Sequence, residues 1–423
     1  MKRFLKVLLL FSLLTGRLFA YTPSETAQIS VIICSPGEEL YSWFGHAALR
    51  LCDTAQNIDA VFDYGTFEVT SVPSFVWNFL TGEMYYLLDT RGFRETVKFY
   101  EMEHRTMTEY TLLLTKEEKE NICDRLITNL QPRNKAYLYN FFEDNCATRI
   151  RDIMVDEVPT IGWNTSYERQ TWRQTVIDAI GTTSWTSFGI NLGLGVPADT
   201  LASAWQMMYL PAMFGQSCAS ATRADGTNVC LSPTRITPPQ TFGSFSYDDP
   251  YAKALISAGV LADPEESDGI EAWLDNSPLI LWILAILFAV QTIRECVTKK
   301  RCVWCDVVFF FAIGLVGITI WFISLFSVHS LVFPNYNMLW LNPFHLIFAS
   351  LYIVPKWREY TQWYFYLAAI EIVLYVPISL FIGQFIPPAS WPLLLVIVLR
   401  SISLLANSCK LSCNFIGKKE KKL

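Results

Sequence analysis

Charge is scarce in this chain: only 17% of its 423 residues are charged, against 52% hydrophobic, and the formal net charge is −6. Without a basic excess there is no electrostatic footprint for nucleic acid, and that class of partner is excluded. The balance is too apolar for an ordinary soluble enzyme and too polar for a chain that is all membrane. Histidine is scarce as well: the chain has 4, His46, His104, His329 and His345, which narrows the candidates for an imidazole base. None lies near the CxxC formed by Cys302 and Cys305, so a zinc site there has little support, and no metal or other cofactor is expected. No cysteine closely follows the N-terminal apolar run, so the chain is not expected to be lipidated itself.

What is present divides in two. Residues 21–276 mix charge, aromatics, Gly and Pro as a globular domain does, whereas from Pro278 onward long apolar runs alternate with short polar loops. Lys2, Arg3 and Lys6 precede the apolar run Val7–Leu14, and Ala20 offers a cleavage point, so 1–20 reads as a signal peptide. Arg17 and Leu18 fit a cleavage site poorly, which leaves an uncleaved signal anchor as the alternative. Five apolar segments follow the exported half, near Leu279–Ile293, Val307–Val328, Leu341–Val354, Trp363–Phe385 and Trp391–Leu405. Two of them are shorter than the roughly 20 residues a straight span needs. Lys and Arg cluster after the first, third and fifth segments and are missing from the other two loops. By the positive-inside rule the basic ends, including a tail at 409–423, are cytoplasmic, and the large N-terminal half lies outside.

Within the membrane half, Glu371 and Arg400 reach similar depth, and charges there are costly, so the two are expected to pair. The outer loop His329–His345 holds two imidazoles and the amides Asn335, Asn337 and Asn342. It reads either as an interfacial aromatic belt or as a site for a lipid headgroup, with His329, Asn337 and His345 as its candidate contacts.

In the exported half, runs at Ile29–Cys34, His46–Leu51 and Ala60–Tyr64, punctuated by Ser35–Pro36–Gly37, Asp53 and Gly65, predict an antiparallel sheet. A further strand is expected at Thr108–Leu114 and a charged helix at Lys116–Leu130. Asp144–Asn145 then supplies cap chemistry for a helix Cys146–Val155. A Cys in a first helical turn sits where unpaired N–H groups and the positive dipole end favour a thiolate, and those N–H groups can also hold an oxyanion. Arg149 and Arg151 add positive charge, and His46, opening a strand after Gly45, is placed to act as the base. On spacing alone the bland alternative stands beside this one, since a lone Cys is commonly a small core residue and a lone strand His structural. Cys218 and Cys230 bracket a polar loop that a disulfide would close.

At these segments the sequence resembles the Lnb N-terminal periplasmic domain family. The matching runs are Cys34–Ser–Pro–Gly37, Tyr41–Ser–Trp–Phe–Gly–His46, Asp63–Tyr–Gly–Thr–Phe67, and Tyr139 through Asp152 around Cys146. Weaker matches are Trp185…Gly195 and the loop Pro334–His345. The resemblance implies a permuted papain-like fold of the NlpC and lecithin:retinol acyltransferase type, in which His precedes Cys. The fold class expected is therefore an α+β permuted papain-like exported domain followed by an all-α bundle of five transmembrane helices. The expected domains are a catalytic core at 21–160, an extracytoplasmic extension and linker at 161–277, and the membrane domain at 278–408.

By the same resemblance His46 and Cys146 are the catalytic pair of a lipoprotein N-acyltransferase. Cys146 would take an acyl chain from a phospholipid as a thioester and pass it to the N-terminal amine of a diacylated lipoprotein. The third residue of permuted relatives is another His about a dozen residues on, where this chain has Ile58–Asp59, so Asp63 takes that role with Tyr64 as its rival. His104 departs from the family pattern, which has Asn before Arg, and is given a structural role. Arg149 and Tyr41 join the candidate substrate contacts. The rival reading is an extracytoplasmic cysteine peptidase or amidase acting on cell-wall peptides, and a third is an envelope scaffold with Cys146 in its core.

Overall fold

The computed structural model describes residues 21–37, 39–67, 71–159, 161–163, 168–237 and 274–403. The segments 1–20 and 409–423, read as export signal and basic tail, lie outside the described residues. The chain separates into two units. One takes its described residues from 21–75, 84–168 and 203–237, the other from 76–83, 169–202 and 274–403. The expected extension 161–277 is thus shared between them.

The first unit is built on a seven-stranded sheet in the order β6-β4-β3-β2-β1-β5-β7. Its strands are β1 (Gln28–Cys34), β2 (His46–Asp53), β3 (Ile58–Phe67), β4 (Tyr85–Gly92), β5 (Met107–Thr111), β6 (Ala136–Leu138) and β7 (Thr234–Arg235), and every neighbouring pair is antiparallel. The period-2 pattern explains its two faces. Ile29, Val31 and Ile33 with Ala47, Leu49 and Leu51 point to one side, while Ile32, Cys34, Ala48 and Val61 point to the other. The second face is closed by α1 (Phe93–Met102) through Tyr100. The first is covered by α2 (Lys116–Leu130), α3 (Cys146–Glu157) and α4 (Pro211–Ser220), through Ile122, Ile150, Met154 and Phe214. Each such apolar side chain contributes about 1.5–3 kcal/mol relative to exposure.

The predicted helix Lys116–Leu130 has those bounds, fixed by a capping box between Thr115 and Glu118. The predicted strands shift at their ends, Thr108–Leu114 becoming Met107–Thr111 and Ala60–Tyr64 lengthening to Ile58–Phe67. Cys218 and Cys230, expected as a disulfide, are free thiols in mutual contact within the core.

Among the described residues of the second unit, three helices are long and apolar enough to cross a membrane: α5 (Ser277–Thr298), α6 (Val303–Phe326) and the stretch Trp363–Ile382 of α8 (Arg358–Ile382). The helix α9 (Ser390–Ser403) is apolar but shorter. The third predicted span, Leu341–Val354, is not one of these three helices. Between Leu341 and Val354 the only regular element is α7 (Phe344–Tyr352), 9 residues long. At about 1.5 Å per residue it falls far short of the ~30 Å hydrocarbon layer. Asn342–Pro343 breaks the run: the Asn342 side chain accepts from the Phe344 N–H and starts a new helix.

The expected Glu371–Arg400 pair is also corrected. Arg400, fully buried, lies against the loop-side ends of α5 and α6, with Nε 2.6 Å from Asp306 and Nη2 2.9 Å from Glu295. Its Nη1 donates to Thr292, and Arg301 closes the network on Asp306 at 3.0 Å. Glu371 instead accepts from Asn342 at 3.3 Å. Replacing Arg400 by Met leaves two buried carboxylates without their main partner. We expect Arg400→Met to lose about 3–5 kcal/mol, read as a lowered thermal midpoint of the full-length protein in detergent. An unchanged midpoint would mean the network adds no stability.

Candidate active site

Local backbone chemistry brings three side chains together at one end of the central strands β2 and β3. Gly45, at φ +80°, turns the chain so that His46 opens β2; a Cβ there would meet the Cys34 carbonyl oxygen at 2.7 Å. β3 carries one extra residue opposite β4 between Asp63 and Thr66, a bulge that re-aims the strand where Asp63 sits. The Gly65 N–H donates to Asp63 Oδ1 at 2.7 Å, and a side chain at Gly65 would press on the His46 ring, 2.6 Å from Cε1. On the third element, Asn145 caps α3 through the N–H groups of Ala147 and Thr148. Its own amide is held by the carbonyls of Phe141 and Tyr209, so the cap residue also fixes the helix start in space.

His46 Nε2 donates to Asp63 Oδ1 at 2.8 Å, and the side chains are 16% and 17% exposed. The Cys146 thiol hydrogen-bonds the same imidazole, whose Nδ1 is the nitrogen left to exchange a proton with it. Burial alone would pull His46 down, but the Asp63 carboxylate and Cys146 override it and raise the imidazole from 6.5 to about 10. Burial would push Asp63 up, yet His46 and the Gly65 N–H hold it down at about 2. An imidazolium beside sulfur is the counter-charge a nucleophilic thiolate needs, and its proton is the one a leaving group takes. Of the two rivals it is Asp63 that meets the His46 ring: Tyr64 is buried, its hydroxyl accepting from Asn129 and its carbonyl from Tyr137.

The expected oxyanion donors narrow. The N–H groups of Ala147, Thr148 and Arg149 are taken by Asn145, which leaves the Cys146 N–H as the first-turn donor. A cavity of about 400 Å³ opens in front of the three side chains. Aromatic rings make much of its wall, Phe67, Tyr86, Tyr139 and Phe141 among them, and Tyr86 stacks on Tyr139 with centroids 4.0 Å apart.

The other residues singled out in the sequence fall in different places. Tyr41 lines this cavity, half exposed, its hydroxyl on Glu103 at 3.3 Å. Arg149 is not in the lining of this cavity; it pairs with Asp144 and lies 4.2 Å over the Tyr137 ring. Asn337 and His345 are both buried inside the second unit, with their polar atoms in use. Asn337 binds the Leu192 carbonyl and the Tyr375 hydroxyl, and His345 holds the Trp340 carbonyl and Tyr364. His329 is more open, with Nε2 on the Phe79 carbonyl at 2.7 Å in that same unit. His104 adopts a left-handed backbone, φ 52°, at the turn after α1.

Sequence reasoning missed Asn145 as the residue that positions Cys146, although its cap chemistry was visible. It also missed Arg91 and Arg105, both lining the cavity. Their positions depend on pairings between segments far apart in the chain, and nothing local announces Arg91. Among the described residues no cluster of three or more His, Cys, Asp or Glu is placed to hold a metal ion.

A sheet domain with a Cys–His–Asp cluster, followed by helices fit to cross a membrane, defines a membrane protein that carries a large sheet domain. Residues 18–177 match the Lnb N-terminal periplasmic domain, and residues 271–411 match the Lnb transmembrane domain. The chain belongs to the Lnb family, and its N-terminal domain is extracytoplasmic. No curated protein matches it, and no solved structure does.

The electrostatics give a titration with a definite sign. Because its folded value is raised, protonated His46 stabilises the domain fully below pH 6.5 and loses that contribution as pH climbs through about 10. NMR of the imidazole should therefore show no midpoint near 6.5 in the native protein, and Asp63→Asn should bring the midpoint down. A native midpoint near 6.5 would remove the ion pair.

Proposed function

We propose that this chain is a lipoprotein N-acyltransferase working through a Cys146 thioester, on a permuted papain-like core. The observation that carries the reading is the Cys146–His46–Asp63 cluster, facing an aromatic-walled cavity, in a chain with a membrane domain of the same family. In the first half-reaction the sulfur attacks an ester carbonyl of a phospholipid. The Cys146 N–H stabilises the oxyanion, and the proton on His46 goes to the departing alkoxide, releasing lysophospholipid and leaving an acyl thioester. In the second, the α-amine of a diacylated lipoprotein's terminal cysteine attacks the thioester. His46 takes the amine proton and returns it to sulfur, so an amide forms and the free thiol is regenerated. Asp63 stays ionised throughout and keeps the imidazole aligned, with Nε2–H directed at itself.

Both substrates are lipid-anchored, which gives the membrane domain a physical purpose beyond retention. A wall-peptide amidase would use the same three side chains but has no need of lipid access, and the aromatic cavity favours the acyl-chain reading. We place the basic tail at 409–423 on the cytoplasmic side, from the loop charges.

Mass spectrometry of lipoprotein N-termini decides the matter in cells lacking the gene and complemented with wild type, Cys146→Ser or His46→Ala. Wild type should restore the N-acyl group, Cys146→Ser should abolish it at equal abundance, and His46→Ala should lower it by about 10²-fold or more. N-acylation sustained by Cys146→Ser, or cut wall peptides in place of acylated lipoproteins, contradicts the assignment.

A further inference from the structure

The cavity that holds the three side chains also holds two arginines for which the chemistry above has no use. Arg105 is 3% exposed and lines the cavity. Its Nε donates to the Ser35 carbonyl at 2.7 Å and its Nη1 to Glu103 at 2.7 Å, while the guanidinium lies 4.7 Å from the centroid of the Tyr100 ring. Nη2 is buried and has no acceptor. A buried guanidinium nitrogen without an acceptor is costly, and an arginine held this rigidly on two sides is pre-set to receive one.

Arg91 lines the same cavity from β4, exposed, with its guanidinium 5.9 Å over Phe99. Among the described residues no carboxylate forms an ion pair with it. The nearby Asp63 is committed to His46 and the Gly65 N–H. The cavity therefore joins two chemistries: aromatic rings suited to an acyl chain, and two guanidinium groups with donors to spare.

We propose that Arg91 and Arg105 form an oxyanion-binding subsite for the phosphodiester of the acyl-donor lipid. A phosphate is the acceptor that fits, because guanidinium groups bind its oxygens by charge-assisted hydrogen bonds and can do so from two directions. Held there, the headgroup sets which ester carbonyl reaches Cys146, so the arginines select the donor and take no part in bond making. The inference rests on the acyl-transfer reading and adds to it the recognition of the donor.

The test is single-turnover acylation of Cys146 in the purified full-length protein, followed by intact mass. Two donors with identical acyl chains are compared in detergent, a zwitterionic diacyl phosphodiester and the corresponding diacylglycerol, which lacks the phosphate. Wild type should acylate faster from the phosphodiester, and in Arg91→Gln and Arg105→Lys the ratio of the two rates should fall by about ten-fold toward unity. Arg91 is exposed, so if Arg105→Lys lowers the thermal midpoint, the ratio for Arg91→Gln decides. A ratio unchanged in Arg91→Gln, including the case where both rates drop together, overturns the proposal and gives the arginine a structural role. Inhibition of wild type by inorganic phosphate without any preference between donors assigns the subsite to a free anion and overturns the headgroup assignment. Failure of wild type to form a thioester from either donor would be a different result, since it removes the acyl-transfer reading itself.

Discussion

His46 meets Asp63 at 2.8 Å, and much of the first unit's architecture serves that contact. Cys34 at the end of β1 pairs with His46 at the start of β2, and the left-handed Gly45 puts the imidazole there. The bulge in β3 aims Asp63, and the absent side chain at Gly65 leaves room for the ring. α3 then brings Cys146 to the same place under the Asn145 cap, whose amide is bound by carbonyls from two other segments. Burial by itself would discharge both ionised groups; pairing them reverses that, and the protein keeps an imidazolium and a carboxylate in a partly enclosed site.

How far the sequence revealed this depended on whether a feature is local. The start of α3 was legible because Asn145 and the following helical run are contiguous, and a cysteine in a first turn has few neighbours to confuse the reading. His46 was legible through Gly45 before it and the alternating residues after it. Asp63 was named only with the help of a family pattern that it does not follow, since 17 residues separate it from His46 and their meeting depends on strand register and a bulge. Arg105 stood in a family motif read only for its neighbour His104, and Arg91 left no local trace.

In the membrane half, apolar runs say where helices lie but not where they start. Leu341–Val354 reads as one apolar run, whereas its helix starts only at Phe344, after Asn342–Pro343. Arg400 was assigned the wrong acid because depth along two helices was counted without knowing where α9 begins. Its partners come from the ends of α5 and α6, where Glu295 and Asp306 are themselves almost wholly buried. The loop polar groups expected to face lipid are largely spent on internal bonds. Asn335 and Asn337 hold the backbone at Leu192, and Gly195 leaves no room for a Cβ against the Pro334 carbonyl, 2.3 Å away.

Everything proposed for the cavity requires that Cys146 be an activated nucleophile. The direct measurement is the pH dependence of Cys146 alkylation by a small neutral reagent, resolved by peptide mass spectrometry in the native protein, His46→Ala and Asp63→Asn. Cys34, Cys123, Cys218 and Cys230 are buried and serve as internal controls. Activation by His46 predicts that Cys146 reacts well before those thiols at neutral pH, and that His46→Ala slows it sharply while leaving the controls unchanged. Equal alkylation rates at Cys146 in the native protein and in His46→Ala, across the pH range, would contradict it.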